Sequence, residues 1–246
     1  MSYWRINYEK NAYFDLCPSR CIWTSPFENT IDAFQKAIEV GADGIELDIR
    51  KTSDDVIIVN HNPTVGEMTI CDHTFEELQA MAKQIGFTIA TLEETLIYCK
   101  GKIFLDIEFK EAGYEEQALN LILSHLTLKE FYIRSFNKDC LKALKKLNPE
   151  VFTILLMCPK DKKFKSIKPV AYPKDQIQEV GANGVSPYQK AMLFGYIKRM
   201  HRLGYPVSAW TVNEEKDMEK WLKKGIDCII TNYPDKALAL RDKYEK

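Results

Sequence analysis

Short apolar runs alternate with amphipathic segments along this chain. The apolar runs fall at 13–17, 44–49, 56–60, 103–109, 131–135, 151–157, 184–186, 207–211 and 228–231. They are apolar on both faces and rich in Ile, Val and Phe, the composition of strands buried in a parallel sheet. Between them, 30–40, 75–82, 92–99, 114–125, 138–147, 191–203, 214–224 and 236–244 carry helical patterns. Helix punctuation agrees: Thr74 and Glu77 are spaced as a capping box, and Gly41, Gly204 and Gly225 stand where a glycine just past a helix belongs. Alternation repeated about eight times predicts an α/β fold, a closed (β/α)8 TIM barrel with its reactive face where strands run out into loops. A doubly wound open sheet is the rival arrangement. No G-x-G-x-x-G or G-x-x-x-x-G-K-[ST] follows any strand, which removes its commonest nucleotide-binding forms.

Length and composition fit a single domain over 1–246. The 246 residues are 46% hydrophobic and 28% charged, and barrels of about 250 residues fold as one unit. No Pro/Gly/Ser-rich linker divides them. The net charge is −1, from 34 basic and 35 acidic residues, so the basic excess of a nucleic-acid binder is missing. The lysine-rich run at 160–165 is short and reads as a solvated loop. The N-terminus holds no uninterrupted apolar stretch, and no segment reaches the ~18 apolar residues of a membrane span. A cytoplasmic protein without integral membrane association is the expectation. Seven scattered cysteines then read as reduced, mostly buried thiols. Cys17 and Cys21 are a close pair, but with no matching Cys/His pair elsewhere they make a poor zinc site.

Polar residues that interrupt apolar strand ends are the candidates for chemistry. Glu46 and Asp48 are two residues apart on one strand and therefore share a face. Two carboxylates so placed repel unless a cation or proton sits between them. Asp106, Glu108 and Lys110 repeat the spacing on a later strand. Three or four converging carboxylates make a hard oxygen site suited to Mg2+ or Ca2+, and the lysine supplies a point charge for an anionic ligand. The plainer reading is solvated strand-end charge or internal salt bridges; two such clusters on separate buried strands favour the metal. His61 closes an apolar run one strand after the acid pair, a placement that sets it apart from His73, His125 and His201. Trp210 ends another strand, where walling a pocket and packing a core are equally good uses.

These residues, in this order, resemble the glycerophosphodiester phosphodiesterase family of barrel enzymes, and the resemblance covers nearly the whole chain. The family's His-Arg-Gly strand end followed by Pro-Glu-Asn-Thr is similar to Ser19-Arg20-Cys21 followed by Pro26-Phe27-Glu28-Asn29-Thr30. Its Gly-Ala-Asp-x-Ile-Glu-Leu-Asp-Val stretch is matched at 41–49, and Thr52 and Asp54 fit the family's next segment. Val-x-His-Asp-Pro is similar to Val59-Asn60-His61-Asn62-Pro63, and Glu-x-Lys to Glu108-Phe109-Lys110. Thr91-Leu92-Glu93-Glu94, Ser135-Phe136-Asn137, Trp210-Thr211-Val212-Asn213 and the stretch 225–234 extend the match.

The resemblance implies a role for each matching residue. Glu46, Asp48 and Glu108 would ligate a divalent metal, Mg2+ or Ca2+, that binds a phosphoryl oxygen and the attacking glycerol 2-hydroxyl. Arg20 and Lys110 would hold the phosphate, with Arg20 in the catalytic set beside His61. Trp210 would line the cleft. The substrate's own hydroxyl would attack phosphorus, giving a cyclic phosphate that water opens, with one proton removed and one delivered.

The departures are equally specific. Ser19 stands at the first histidine position and has no pKa near neutrality, so it cannot carry that proton. Cys21, Asn62 and Asn232 replace a glycine and two aspartates, and the loop after His61 is short and lacks the usual arginine. The expectation is a metal-dependent hydrolase of small glycerophosphodiesters or related phosphodiesters with altered or reduced activity. The alternative is a member that binds a phosphate ester without hydrolysing it. Retention of three carboxylates, Lys110 and His61 favours the enzyme, and nothing in the sequence favours a barrel lyase or isomerase.

Overall fold

The computed structural model describes residues 28–159 and 167–244, with the backbone of Arg20 and Cys21. In chain order the strands are β1 (Arg20–Cys21), β2 (Gly44–Lys51), β3 (Ile57–Val59), β4 (Thr64–Val65), β5 (Met68–Thr69), β6 (Phe104–Phe109), β7 (Phe131–Ser135), β8 (Thr153–Met157), β9 (Gly184–Pro187), β10 (Ser208–Ala209) and β11 (Cys228–Thr231). The helices are α1 (Ile31–Val40), α2 (Phe75–Gln84), α3 (Leu92–Cys99), α4 (Glu115–His125), α5 (Lys138–Leu147), α6 (Lys168–Ala171), α7 (Lys174–Val180), α8 (Tyr196–Arg202), α9 (Glu215–Leu222) and α10 (Pro234–Tyr244). None is long and apolar enough to cross a membrane.

The main sheet runs β10-β11-β1-β2-β6-β7-β8-β9, with every neighbouring pair parallel. Its two outer strands approach each other through isolated parallel bridges, Val185 to Val207 and Tyr188 to Trp210. Alternation along the strands divides the molecule into layers. Ile45, Leu47, Ile49, Leu105, Ile107 and Phe109 pack outward into one cluster with Phe34 and Ala37 of α1, Leu92 and Leu96 of α3, and Leu119 and Ile122 of α4. Phe104, Tyr132, Phe152 and Ile154 form a separate inner cluster at the beginnings of their strands. Glu46, Asp48, Asp106 and Glu108 continue that inner face toward the strand ends, a consequence of the two-residue period.

Helix ends follow their sequence signals. Thr30 caps α1 by accepting from Ala33 N, and the helix stops at Gly41, whose φ of 80° is the left-handed conformation glycine adopts without a Cβ penalty. Both Thr74/Glu77 and Thr91/Glu94 form reciprocal capping boxes.

Several expectations change. The run at 56–60 is not a barrel strand: β3 pairs antiparallel with β2, Val59 opposite Ile49. β2 extends to Lys51 and turns back through Thr52, whose hydroxyl donates to Asp54 Oδ1 at 2.6 Å, and Asp55 at φ 62°. With β4, β5 and α2 this hairpin builds a second small core of Ile58, Val65, Ile70, Leu78, Ala82 and Ile89. The helix expected at 191–203 starts only at Tyr196, after Gly195 in the left-handed conformation at φ 72°, and Leu193 and Phe194, which fit its apolar pattern, are exposed. The run at 207–211 forms regular strand only at Ser208–Ala209. α6 and α7 have no counterpart among the expected helices; they are short, and α7 buries only Ile177 and Val180. The predicted strand at 13–17 lies outside the described residues.

Candidate functional site

Parallel register places the two acidic clusters side by side, Glu46 opposite Asp106 and Asp48 opposite Glu108. Glu46, Asp48 and Glu108 are buried, and one carboxylate oxygen from each lies within 4.8 Å of the others. They line a cavity of about 280 Å3 at the strand ends together with His61, Lys110, Arg134 and Trp210.

Carboxylates and cations are packed together in this cavity. Lys110 Nζ lies 2.8 Å from Asp48 Oδ1 and donates to Glu108 Oε1 at 2.7 Å. Burial works against the Lys110 ammonium, but Asp48 and Glu108 outweigh it and hold its pKa above the ordinary value. Burial, and then the adjacent Asp48 charge, push the Glu108 carboxyl up. The Arg134 charge acts on Glu108 in the opposite sense. Oxygens sharing an ion at about 2.0–2.6 Å lie no more than about 5 Å apart, so the observed 4.8 Å cluster fits a hard divalent cation. The donors are all oxygens, the set such an ion takes.

Asp48 is held from below by a residue whose role the sequence does not disclose. Asn29 Nδ2 donates to Asp48 Oδ2 at 2.8 Å, and Asn29 Oδ1 accepts from Asp48 N at 2.9 Å. Asn29 has φ 62°, a left-handed conformation asparagine tolerates better than most residues, immediately before the Thr30 cap.

Asp106 does not join the carboxylate cluster. Its Oδ2 lies 2.5 Å from Arg134 Nη2, and both side chains are fully buried. Arg134 also donates to Ser208 Oγ at 3.4 Å and sits beside the Tyr132 ring of the inner cluster. Its signal in the sequence is a lone arginine inside the apolar run Phe131–Ser135, a position that demands a buried partner.

His61 reaches the cavity because the hairpin returns past β2. Asn60 N donates to Asp48 O at 2.9 Å, and Arg50 donates to His61 O from Nε at 3.1 Å and Nη2 at 2.8 Å. Arg50 is itself ion-paired with Glu111. The His61 ring is half exposed, with Nδ1 3.3 Å from Asn62 Oδ1 and 3.8 Å from Glu28 Oε1. The other three histidines have separate partners: His73 with Thr69 O, His125 with Glu93, and His201 with Asp227.

Trp210 is half-buried and donates from Nε1 to Ser186 O at 2.9 Å. Phe136 stands edge-on to it, ring centroids 5.5 Å apart at 88°, and both line the cavity. Asn213 Oδ1 accepts from Asn232 N at 3.0 Å and Thr231 Oγ1 at 3.3 Å, fixing the loop beneath Trp210. Ser19 and Cys17 lie outside the described residues. For Arg20 and Cys21 only the backbone is described: it pairs with Gly44 and Ile45 on one side and Ile230 and Thr231 on the other, beside the acidic strand. Of the described cysteines, Cys99, Cys140 and Cys228 are buried and Cys71 and Cys158 exposed, all as free thiols.

Comparison with known proteins agrees with this geometry. The chain is 31% identical over 232 residues to a glycerophosphodiester phosphodiesterase of Caldanaerobacter subterraneus, covering 87% of this chain and 91% of that one. A glycerophosphodiester phosphodiesterase of Bacillus altitudinis is 27% identical over 236 residues, 87% of this chain and 93% of its own. The fold matches a phosphodiesterase of Oleispira antarctica solved with its product sn-glycerol-3-phosphate, at a TM-score of 0.80 and 20% identity, covering 94% and 98% of the two chains. A glycerophosphodiester phosphodiesterase structure from Parabacteroides distasonis gives a TM-score of 0.79 at 23% identity, covering 94% and 99%. Such structures have TIM-barrel folds. The profile of the Glycerophosphoryl diester phosphodiesterase family matches residues 12–236, and the chain belongs to that family.

Proposed function

We propose that this chain hydrolyses glycerophosphodiesters or related small phosphodiesters, that it depends on Mg2+ or Ca2+, and that Ser19 lowers its rate. Family members are phosphoric diester hydrolases and generally depend on a divalent metal. The observation that carries the reading is the buried Glu46/Asp48/Glu108 oxygen cluster beside Lys110 in a cavity that His61 also lines. The three carboxylates would hold the ion, which supplies charge neutralisation at the phosphoryl group. Lys110, now pinned between Asp48 and Glu108, is placed to turn to a phosphate oxygen once a cation satisfies those carboxylates. Arg20 would be the second phosphate cation. His61 carries a proton between the reacting oxygens and solvent: its ring is exposed and tethered at Nδ1 by the neutral Asn62 amide. Trp210 and Phe136 wall the apolar part of the substrate. The bound glycerol phosphate in the Oleispira antarctica enzyme supports a ligand of this size and charge.

Binding without hydrolysis is the second reading, and Ser19 favours it, because a hydroxyl cannot replace imidazole as a proton carrier near neutrality. The two readings separate when sn-glycerol 3-phosphate release from a panel of glycerophosphodiesters is followed for wild type and Ser19→His, each with Mg2+, Ca2+ or EDTA. Metal-dependent release by wild type, rising in Ser19→His, supports the hydrolase. A silent wild type beside an active Ser19→His supports the binding protein.

A further inference from the structure

The buried pair beneath the metal cluster has no part in the proposed chemistry, and we infer that it sets the cluster's charge: Arg134 is a positioning residue that neutralises Asp106 and so keeps the metal set at three carboxylates. The inference rests on Glu46, Asp48 and Glu108 being the metal ligands. Asp106 is the cross-strand partner of Glu46 and lies two residues before Glu108 on the same face, so it belongs by register to the same acidic layer. Among the described residues it is nonetheless outside the group whose oxygens converge within 4.8 Å. What distinguishes it is Arg134, whose Nη2 lies 2.5 Å from Asp106 Oδ2 with both side chains fully buried. Arg134 is itself the cross-strand partner of Glu108, and it reaches back along the strand to Asp106. It also lines the cavity. It approaches Ser208 Oγ at 3.4 Å and the Tyr132 ring, and its charge acts on Glu108.

A charge this close to the ligands in a water-poor interior acts on the ion through space. Removing either member of the pair changes the charge beside the cluster by one unit, in opposite senses for the two. The two single substitutions therefore act in opposite directions. Asp106→Asn removes one negative charge from beside the cluster and disfavours a divalent cation. Arg134→Met removes one positive charge from beside the cluster and favours a divalent cation. A pair that only holds strands together would weaken metal binding whichever partner was removed.

Calorimetric titration of Mg2+ and Ca2+ into wild type, Asp106→Asn, Arg134→Met and the double variant tests this. The expected result is a metal Kd raised about tenfold or more by Asp106→Asn, lowered about tenfold by Arg134→Met, and restored to within about threefold of wild type in the double variant. Circular dichroism checks folding. If a single variant does not fold, Asp106→Asn/Arg134→Gln and Arg134→Lys take its place: the neutral pair and the charge-conserving lysine should both bind as wild type does. Shifts of the same sign in both singles, or no shift in either, overturn the inference. A wild type that binds neither metal instead contradicts the ligand assignment on which it rests.

Discussion

Asn29 and Asp48 exchange two hydrogen bonds, Asn29 Nδ2 to Asp48 Oδ2 at 2.8 Å and Asp48 N to Asn29 Oδ1 at 2.9 Å, across 19 residues of sequence. This fixes the carboxylate rotamer of Asp48 and joins the start of α1 to the middle of β2. The amide donates to one oxygen of Asp48 while the other faces Lys110.

Substitution at Asn29 should therefore act on metal binding before it acts on the fold. Asn29→Gly keeps the φ of 62° open and loses both hydrogen bonds, so its metal Kd should rise about tenfold with little change in melting temperature. Asn29→Ala adds strain at that φ and should lower the melting temperature as well. Calorimetry and thermal denaturation distinguish the two effects; an unchanged Kd in Asn29→Gly would remove the orienting role.

His61→Ala should lower turnover by about 10²–10⁴, the range for loss of one positioned acid or base, while leaving the metal Kd within about twofold. The ring approaches Asn62 and Glu28 and is not one of the converging metal-site oxygen donors. Equal turnover in His61→Ala would end its assignment as the proton carrier.

Arg50 ties β2 to the His61 carbonyl and to Glu111, and the charges of Asp48 and Glu108 act on it through space. Arg50→Met should cost about 1–3 kcal/mol of stability and reduce turnover through a displaced His61. The measurement is denaturant unfolding beside kcat; a stable variant with unimpaired turnover would refute the tether.

The thiols should divide sharply in reactivity. Burial pushes Cys99 up to about 12 and Cys140 higher still, so neither forms thiolate in the folded protein at pH 8. Cys71 and Cys158 are exposed. The raised folded-state values favour the neutral thiol, so unfolding lowers these pKa values and releases reactivity. Alkylation mapped by mass spectrometry should label Cys71 and Cys158 natively and Cys99 and Cys140 only in denaturant.

The acidic strands are legible in the sequence because a two-residue spacing on an apolar strand fixes the face, whatever the register. Glu46, Asp48, Glu108 and Lys110 accordingly meet in one cavity. Asp106 follows the same spacing and groups with them by pattern, but its partner lies on β7, and no local pattern in the sequence pairs residues 106 and 134. His61 ends a buried strand as its pattern suggests, though that strand is an antiparallel return on β2; apolar runs record burial and not direction. Asn29 is visible only as part of a motif, because its function depends on a positive φ and a distant backbone amide.

The most direct test compares sn-glycerol 3-phosphate release from glycerophosphodiesters by wild type, Ser19→His and Ser19→His/Glu46→Gln/Asp48→Asn, in Mg2+, in Ca2+ and in EDTA. The account predicts metal-dependent release that rises in Ser19→His and vanishes both in EDTA and in the carboxylate variant. Release that persists in EDTA, or that survives loss of Glu46 and Asp48, would contradict it.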